Sequence, residues 1–403
     1  MVKRSIKGKK KIVFFIIDGL ADLPKDGKTP LSEAHKPNID YFAKNGCLGE
    51  LSLLPKKVWE KHGASISPFA TISLLGYDIK KFENIKRGPL EAVGADIPYK
   101  EGHLAIRCNF ATIDKDMRIV DRRAGRSSYK LDEITRYINE HVDLGFPYTF
   151  MRVYGHRAVL IIKEKLSDEI LSNDPIKVGE RVKRIRALKP NAELSAKLVQ
   201  EFVDKVHDII QFHPANSERL AKGLLEANYL LVREAGNVLL DLLPHFDKKW
   251  NVNPLCISEP GATRAIFMLA GFNSIKIPEL DFSSKLNFIF DNLNDVLLDY
   301  DFLAIHIKDV DEAGHDGDFK RKKEMIEEID LWLSDFKNFD GILILTTDHI
   351  TSVETGTHVY GKVPLLVYGK GKDNAKNFDE ISVKKGKLKN FDAKKLWNFV
   401  FKN

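Results

Sequence analysis

Two rhythms of apolar and polar residues run along this chain. Ile12–Ile17 is an unbroken apolar run between lysines and Asp18-Gly19, a pattern that predicts a central strand covered on both faces. Phe302–Ile307, Ile342–Leu345 and Leu365–Val367 predict further buried strands. Between them, Arg321–Leu333 places its apolar residues at helical spacing, and Asn38–Lys44 predicts a short helix between Pro37 and Asn45-Gly46. Strand, helix and strand in this order imply a parallel sheet with crossover helices.

The middle of the chain differs. Leu104–Ile113 and Ala158–Ile162 are strand-like, and Ala196–Gln211 carries Leu198, Phe202, Val206, Ile209 and Ile210 as one helical stripe. The expected architecture is α/β: a mostly parallel sheet flanked by helices, built from 1–78 and 250–403, with an α+β domain inserted at 79–249. The inserted region also gathers Arg87, Arg107, Arg122, Arg123, Arg126, Arg152 and Arg157.

Composition narrows the function classes. A hydrophobic share of 43% and a charged share of 30% fit a globular protein with a substantial core. The net charge of +6 is small for 403 residues, and much of it lies in Lys3, Arg4, Lys7, Lys9, Lys10 and Lys11, which read as a solvated leader. No nucleic-acid partner is expected. The apolar run that follows is too short to span a membrane or direct export, so no membrane partner is expected either. Cys47, Cys108 and Cys256 are odd in number, widely separated and free of any CxxC pair. They indicate neither a disulfide framework nor a zinc ribbon, and a cytoplasmic location follows.

Candidate chemistry clusters at the predicted strand ends, where open parallel sheets bind ligands. Asp18 follows the first strand. Asp309, Asp311, His315, Asp316 and Asp318 are packed into an expected loop after Phe302–Ile307, where Asp311 and His315 converge on one ion if that loop coils. Asp348 and His349 follow Ile342–Leu345, with His358 a few residues on. These six, Asp18, Asp311, His315, Asp348, His349 and His358, suffice for two divalent ions. Mixed carboxylate and imidazole donors suit Mn²⁺ or Zn²⁺ better than Ca²⁺. Two rival motifs fail. Gly356–Lys362 approaches a phosphate-binding loop, but Val363 replaces the required hydroxyl and Pro364 opens no helix; no GxGxxG follows the first strand.

The segments IDG at 17–19, GKTPLSEAHKPNID at 27–40, LLGYD at 74–78 and RGPLEAVGADI at 87–97 then carry a resemblance. So do AIRCNFATID at 105–114, VDRRAGR at 120–126, GHRAVL at 155–160, LSDEILSNDP at 166–175, DEAGHDGD at 311–318, TDH at 347–349 and VPLLVYG at 363–369. The chain resembles the archaeal-type cofactor-independent phosphoglycerate mutases of the alkaline phosphatase superfamily. The resemblance implies an alkaline-phosphatase-like core and interconversion of 3-phosphoglycerate and 2-phosphoglycerate through a phosphoserine. It implies one metal on Asp18, Ser67, Asp348 and His349 and a second on Asp311, His315 and His358. Mn²⁺ is the foremost choice of ion, with Zn²⁺, Co²⁺ or Mg²⁺ as alternatives, and no organic cofactor is implied. Ser67 aligns with the nucleophile, and Asp121 is a candidate proton shuttle. Arg107, Arg122, Arg123, Arg126, Arg157 and Arg264 align with groups that hold the substrate's carboxylate and phosphate. The chain departs from the family pattern at Pro68 and Thr71, where an acidic residue and a histidine are usual, which makes Ser65 a rival nucleophile. Arg264 stands for a family lysine, and Ile277–Ser284 replaces a glycine-rich loop. The alternative activity is a metal-dependent phosphatase or phosphotransferase of the same superfamily acting on another phosphate ester.

Overall fold

The computed structural model describes residues 10–82, 84–239 and 243–402, apart from the side chains of Ala64 and Asn294. These fall into two compact units, one of 1–83, 242–259 and 266–403, the other of 84–241 and 260–265. The basic leader at 3–9 lies outside the described residues. Lys11, counted with that leader above, is instead the first residue of a buried strand, and its Nζ donates to the Tyr300 carbonyl at 3.0 Å.

The first unit is built on eight strands: β1 Lys11–Ile17, β2 Gly46–Ser52, β3 Pro254–Ser258, β4 Asn273–Lys276, β5 Phe302–Ile307, β6 Gly341–Thr346, β7 Val363–Tyr368 and β8 Leu388–Asp392. Their order is β8-β2-β7-β6-β1-β5-β3-β4. From β6 to β4 all neighbours run parallel, while β7 is antiparallel to both β6 and β2. The sheet is mostly parallel, as expected, and the exception falls at Leu365–Val367. That strand returns through a hairpin, Ile350–Ser352 with Thr357–Val359, rather than through a crossover helix.

Every residue of β1 is buried, as its apolar run predicts. Because side chains alternate along a strand, Val13, Phe15 and Ile17 join Leu303, Ile305, Leu343 and Leu345 on one face. Helices Pro37–Lys44, Phe282–Asp299 and Phe319–Leu333 supply further members of that cluster. Phe14 and Phe302 point the other way, onto Trp397, with ring centroids 5.1 and 5.4 Å apart. Trp397 also donates its indole N–H to the Leu74 carbonyl at 2.7 Å, which ties the last helix to Ser67–Leu74.

The second unit centres on an antiparallel sheet. His103–Ile113 pairs with Arg157–Lys165 on one side and with Tyr229–Gly236 and Ile119–Asp121 on the other; Tyr148–Tyr154 forms the far edge. Leu104, Ile106, Cys108 and Phe110 share a core with Leu198, Phe202 and Val206 of the helix Glu193–Ile210. The opposite sheet face carries Arg107. Among the described residues no helix is long and apolar enough to cross a membrane, and Cys47, Cys108 and Cys256 are buried and form no disulfide.

Candidate metal centre

The polar residues that follow β1, β5 and β6 converge. Asp18 closes β1, and Gly19 next to it has φ +62°; a Cβ there would lie 2.7 Å from Thr351 Oγ1 and 2.8 Å from Asp311 Oδ1. Only glycine combines that conformation with that clearance. Beyond β5, the segment expected as a loop is a helix, Asp309–His315. The correction matters chemically, because residues four apart on a helix share a face. His315 Nε2 accordingly stands 3.5 Å from Asp311 Oδ2. Asp316 and Asp318 fall past the helix; Asp318 caps the next one by accepting from Arg321 N.

Two donor groups result. In the first, Asp311 joins His315 and His358: the two Nε2 atoms are 3.0 Å apart, and His358 Nε2 is 3.6 Å from Asp311 Oδ1. In the second, His349 Nε2 lies 3.1 Å from Asp18 Oδ1, 3.3 Å from Asp348 Oδ2 and 3.4 Å from Ser67 Oγ. Ser67 opens the helix Ser67–Leu74, with Pro68 in its first turn, where a missing N–H costs nothing. Thr71 does not face the ligands; its hydroxyl donates to the Ser67 carbonyl at 2.9 Å. Ser65, the rival nucleophile, sits in the preceding turn Gly63–Ser65.

One hydroxyl links the groups. Thr351 Oγ1 donates to Asp311 Oδ1 at 2.7 Å and lies 3.1 Å from His349 Nδ1. With the threonine proton on Asp311, His349 carries a proton on Nδ1, and its Nε2 points at Asp18, Asp348 and Ser67. Thr351 is held in turn by buried Lys322, whose Nζ donates to the Thr351 carbonyl at 2.7 Å and to Asp22 at 2.9 Å.

The electrostatics fit a bound cation. Asp18 Oδ1, Asp348 Oδ2 and His306 Nε2 are buried without a hydrogen-bond partner. Burial and the adjacent Asp18 push the Asp348 carboxyl up to about 8. Burial opposes charge on His349, yet Asp348 and Asp18 outweigh it and raise the imidazole to about 9. His358 is driven down to about 4 by burial, with His349 adding to the effect. Burial would raise Asp18, but Lys308, 3.0 Å away, and His349 hold it well below the usual carboxylate range. Carboxylates crowded in a dry site and imidazoles stripped of water are the donors a divalent ion satisfies. The residues present therefore suit metal.

The arginines form a second group, in the second unit. Arg107 and Arg233 stand directly opposite one another on adjacent strands, and Arg157 pairs across from Asn109 on the same sheet. Like charges in that position destabilise a sheet. Glu91 offsets part of the cost, 3.8 Å from Arg107 and 2.8 Å from Arg87. Burial alone would raise Glu91, but Arg87, Arg107 and Arg157 bring it down to about 2. The other expected substrate groups differ. Arg122 makes a forked pair with Asp174, at 3.0 Å through Nε. Arg264 spends Nη1 on the Gly94 carbonyl and Asp96, at 2.9 and 2.8 Å. Arg123 and Arg126 flank a turn in which Asp121 Oδ1 accepts from Arg123 N and Gly125 N at 2.7 and 3.0 Å. One oxygen of the expected proton shuttle is thus committed to its own turn.

Comparison with known proteins decides the family. A family model described as 2,3-bisphosphoglycerate-independent phosphoglycerate mutase matches residues 43–216. A protein of that name from Archaeoglobus fulgidus is 36% identical, with 94% of each chain covered. Another from Methanothermobacter thermautotrophicus is 37% identical over 89% of each. This chain belongs to the 2,3-bisphosphoglycerate-independent phosphoglycerate mutases. Among solved structures, a Pyrococcus horikoshii protein superposes with TM-score 0.74 at 26% identity, covering 98% of this chain and 97% of its own. The cofactor-independent phosphoglycerate mutase of Thermoplasma acidophilum gives 0.54 at 28%, over 94% and 96%.

Within this mutase fold, further residues that the sequence did not single out stand beside the metal ligands or, in the second unit, beside the arginines. His306 follows the alternation of β5 on the face opposite Leu303 and Ile305, and Lys308, just past the strand, donates from Nζ to Asp18 Oδ2 at 3.0 Å. Thr351 stands two residues after His349, a spacing with no motif behind it. Arg233 lies in an apolar strand, and only strand register shows that it stands opposite Arg107.

Proposed function

We propose that this mutase interconverts 3-phosphoglycerate and 2-phosphoglycerate with two divalent ions and a phosphoserine on Ser67. The observation that carries the proposal is the convergence of Asp18, Asp348, His349 and Ser67 beside Asp311, His315 and His358. The names of the relatives support the substrate class. Asp18, Ser67, Asp348 and His349 would hold one ion, and Asp311, His315 and His358 the other. Bound there, the ions would lower the serine pKa and offset the charge of the phosphoryl oxygens. Mn²⁺ suits these mixed oxygen and nitrogen donors, with Co²⁺, Zn²⁺ or Mg²⁺ as alternatives.

Ser67 Oγ attacks the phosphorus of the substrate; the P–O bond to the glycerate oxygen breaks, and the serine's proton passes to that oxygen. The neighbouring glycerate hydroxyl then attacks phosphoserine and releases Ser67, so the phosphoryl group changes position with no net hydrolysis. Arg107, Arg157 and Arg233 bind the substrate's carboxylate and phosphate, since planar guanidinium groups match both anions through paired N–H donors. Arg122, Arg123, Arg126 and Arg264 complete that positive region, and Asp121 serves as the proton shuttle.

A phosphatase built on the same ligands would release phosphate instead. A coupled assay for 2-phosphoglycerate, run with Mn²⁺ beside a phosphate-release assay, separates the two. The proposal expects 2-phosphoglycerate in excess of free phosphate, and phosphate release alone would reject it.

A further inference from the structure

We infer that His306 is an additional nitrogen ligand at the Asp18–Asp348 end of the centre, an inference that rests on the metal reading above. Strand register places it there. Ile16 pairs with His306 across β1 and β5 and with Thr346 across β1 and β6. In-register neighbours share a face, so His306 stands on the sheet face that β1 extends to Asp18, opposite the one filled by Ile17, Leu303 and Ile305.

One ring nitrogen of this buried side chain is unengaged. The residue is 4% exposed, and its Nε2 meets no hydrogen-bond partner. Asp18 Oδ2 lies 3.6 Å away, beyond hydrogen-bond range. Asp18, His306 and Asp348 each offer one ligand atom, and the three atoms lie within 4.8 Å of one another. Asp348 Oδ2 and Asp18 Oδ1 are buried without hydrogen-bond partners as well. Unsatisfied buried polar atoms are rare, and one on each of three converging residues marks a site that an ion completes. Leu303, Ile305 and Ile307 show what this strand carries where no ligand is needed.

The chemical consequence is a richer donor set. Asp18, Asp348, His349, Ser67 and His306 give five protein donors, two of them imidazoles. Tetrahedral zinc sites use four. The extra nitrogen therefore favours an ion that accepts five or six ligands, Mn²⁺ or Co²⁺.

Cobalt tests this without recourse to turnover. Metal-stripped wild-type protein and the His306→Gln, His306→Asn and His306→Ala variants are titrated with Co²⁺, following bound metal by calorimetry and coordination by visible absorption. The inference expects one Co²⁺ equivalent to weaken by about tenfold or more in His306→Ala, the other to hold, and the absorption bands to intensify as coordination number falls. Gln and Asn keep a polar side chain of similar bulk and guard against misfolding of the alanine variant. Wild-type affinity and an unchanged Co²⁺ spectrum in all folded variants would overturn the inference while leaving the centre intact. Unchanged metal binding with a raised KM for phosphoglycerate would also overturn it, assigning His306 to substrate. Wild-type protein that binds no Co²⁺ would instead reject the metal centre itself.

Discussion

His315 and His358 bring their Nε2 atoms to 3.0 Å of each other, although 43 positions separate them in the chain. His315 Nδ1 lies 2.7 Å from the Gly356 carbonyl, which fixes the proton on Nδ1 and leaves Nε2 as a lone pair. That lone pair meets His358 Nε2, and a proton or a cation between the two nitrogens makes the contact favourable. His315→Ala should therefore weaken one metal equivalent by about tenfold or more and leave the other in place. Metal content after dialysis, measured by atomic emission, checks this; two equivalents retained at wild-type affinity would contradict it.

Thr351 connects the two donor groups through one oxygen. Its methyl is equally confined, since a Cβ on Gly314 would approach Thr351 Cγ2 to 2.8 Å. Thr351→Val keeps the shape and removes both bonds, which leaves a buried carboxylate oxygen short of a donor. The expected loss is about 1.5–3 kcal/mol in metal-free stability by urea denaturation. Thr351→Ser should recover most of it. Equal stability of the Val and Ser variants would refute the bridging role.

Ser67 and Ser65 are separated by covalent trapping. Incubation with substrate followed by acid quench and peptide mass spectrometry should find phosphate on Ser67. Ser67→Ala should reduce turnover by about 10⁴-fold or more, while Ser65→Ala retains activity. Phosphate on Ser65, with Ser67→Ala still active, would move the nucleophile.

Glu91, in the second unit, supplies a pH test that involves no metal ligand. Its folded value is depressed from 4.5 to about 2, because Arg87, Arg107 and Arg157 outweigh its burial. A depressed acid stabilises the fold above its unfolded value and loses that contribution as pH falls through the folded one. Between pH 4.5 and 2, the wild type should lose on the order of 3 kcal/mol that Glu91→Gln never had. Denaturation curves of the two proteins should therefore converge on acidification. A constant gap across that range would show that Glu91 does not respond to the arginines.

Much of this was legible in the chain. β1 follows from an unbroken apolar run and β5 from one interrupted only by His306, and Asp18, Asp348 and His349 from their place just after such runs. Other features needed three dimensions. The helix Asp309–His315 was hidden because aspartates and glycine argue for a loop, while tertiary packing of Val310 and Ala313 overrides that preference. β2, with its two glycines, lacks the apolar density of a central strand and forms because β7 and β8 pair with it on either side. His306 was hidden among apolar neighbours, and only strand register shows which carboxylates it meets.

Metal titration against turnover bears most directly on the central claim. Exhaustively chelated protein, titrated with Mn²⁺ while 2-phosphoglycerate formation from 3-phosphoglycerate is followed, should start inactive and reach its plateau at two ions per chain. Full activity in the chelated protein, or a plateau at one ion, would contradict a two-ion phosphotransfer centre built from Asp18, Ser67, Asp348, His349, Asp311, His315 and His358.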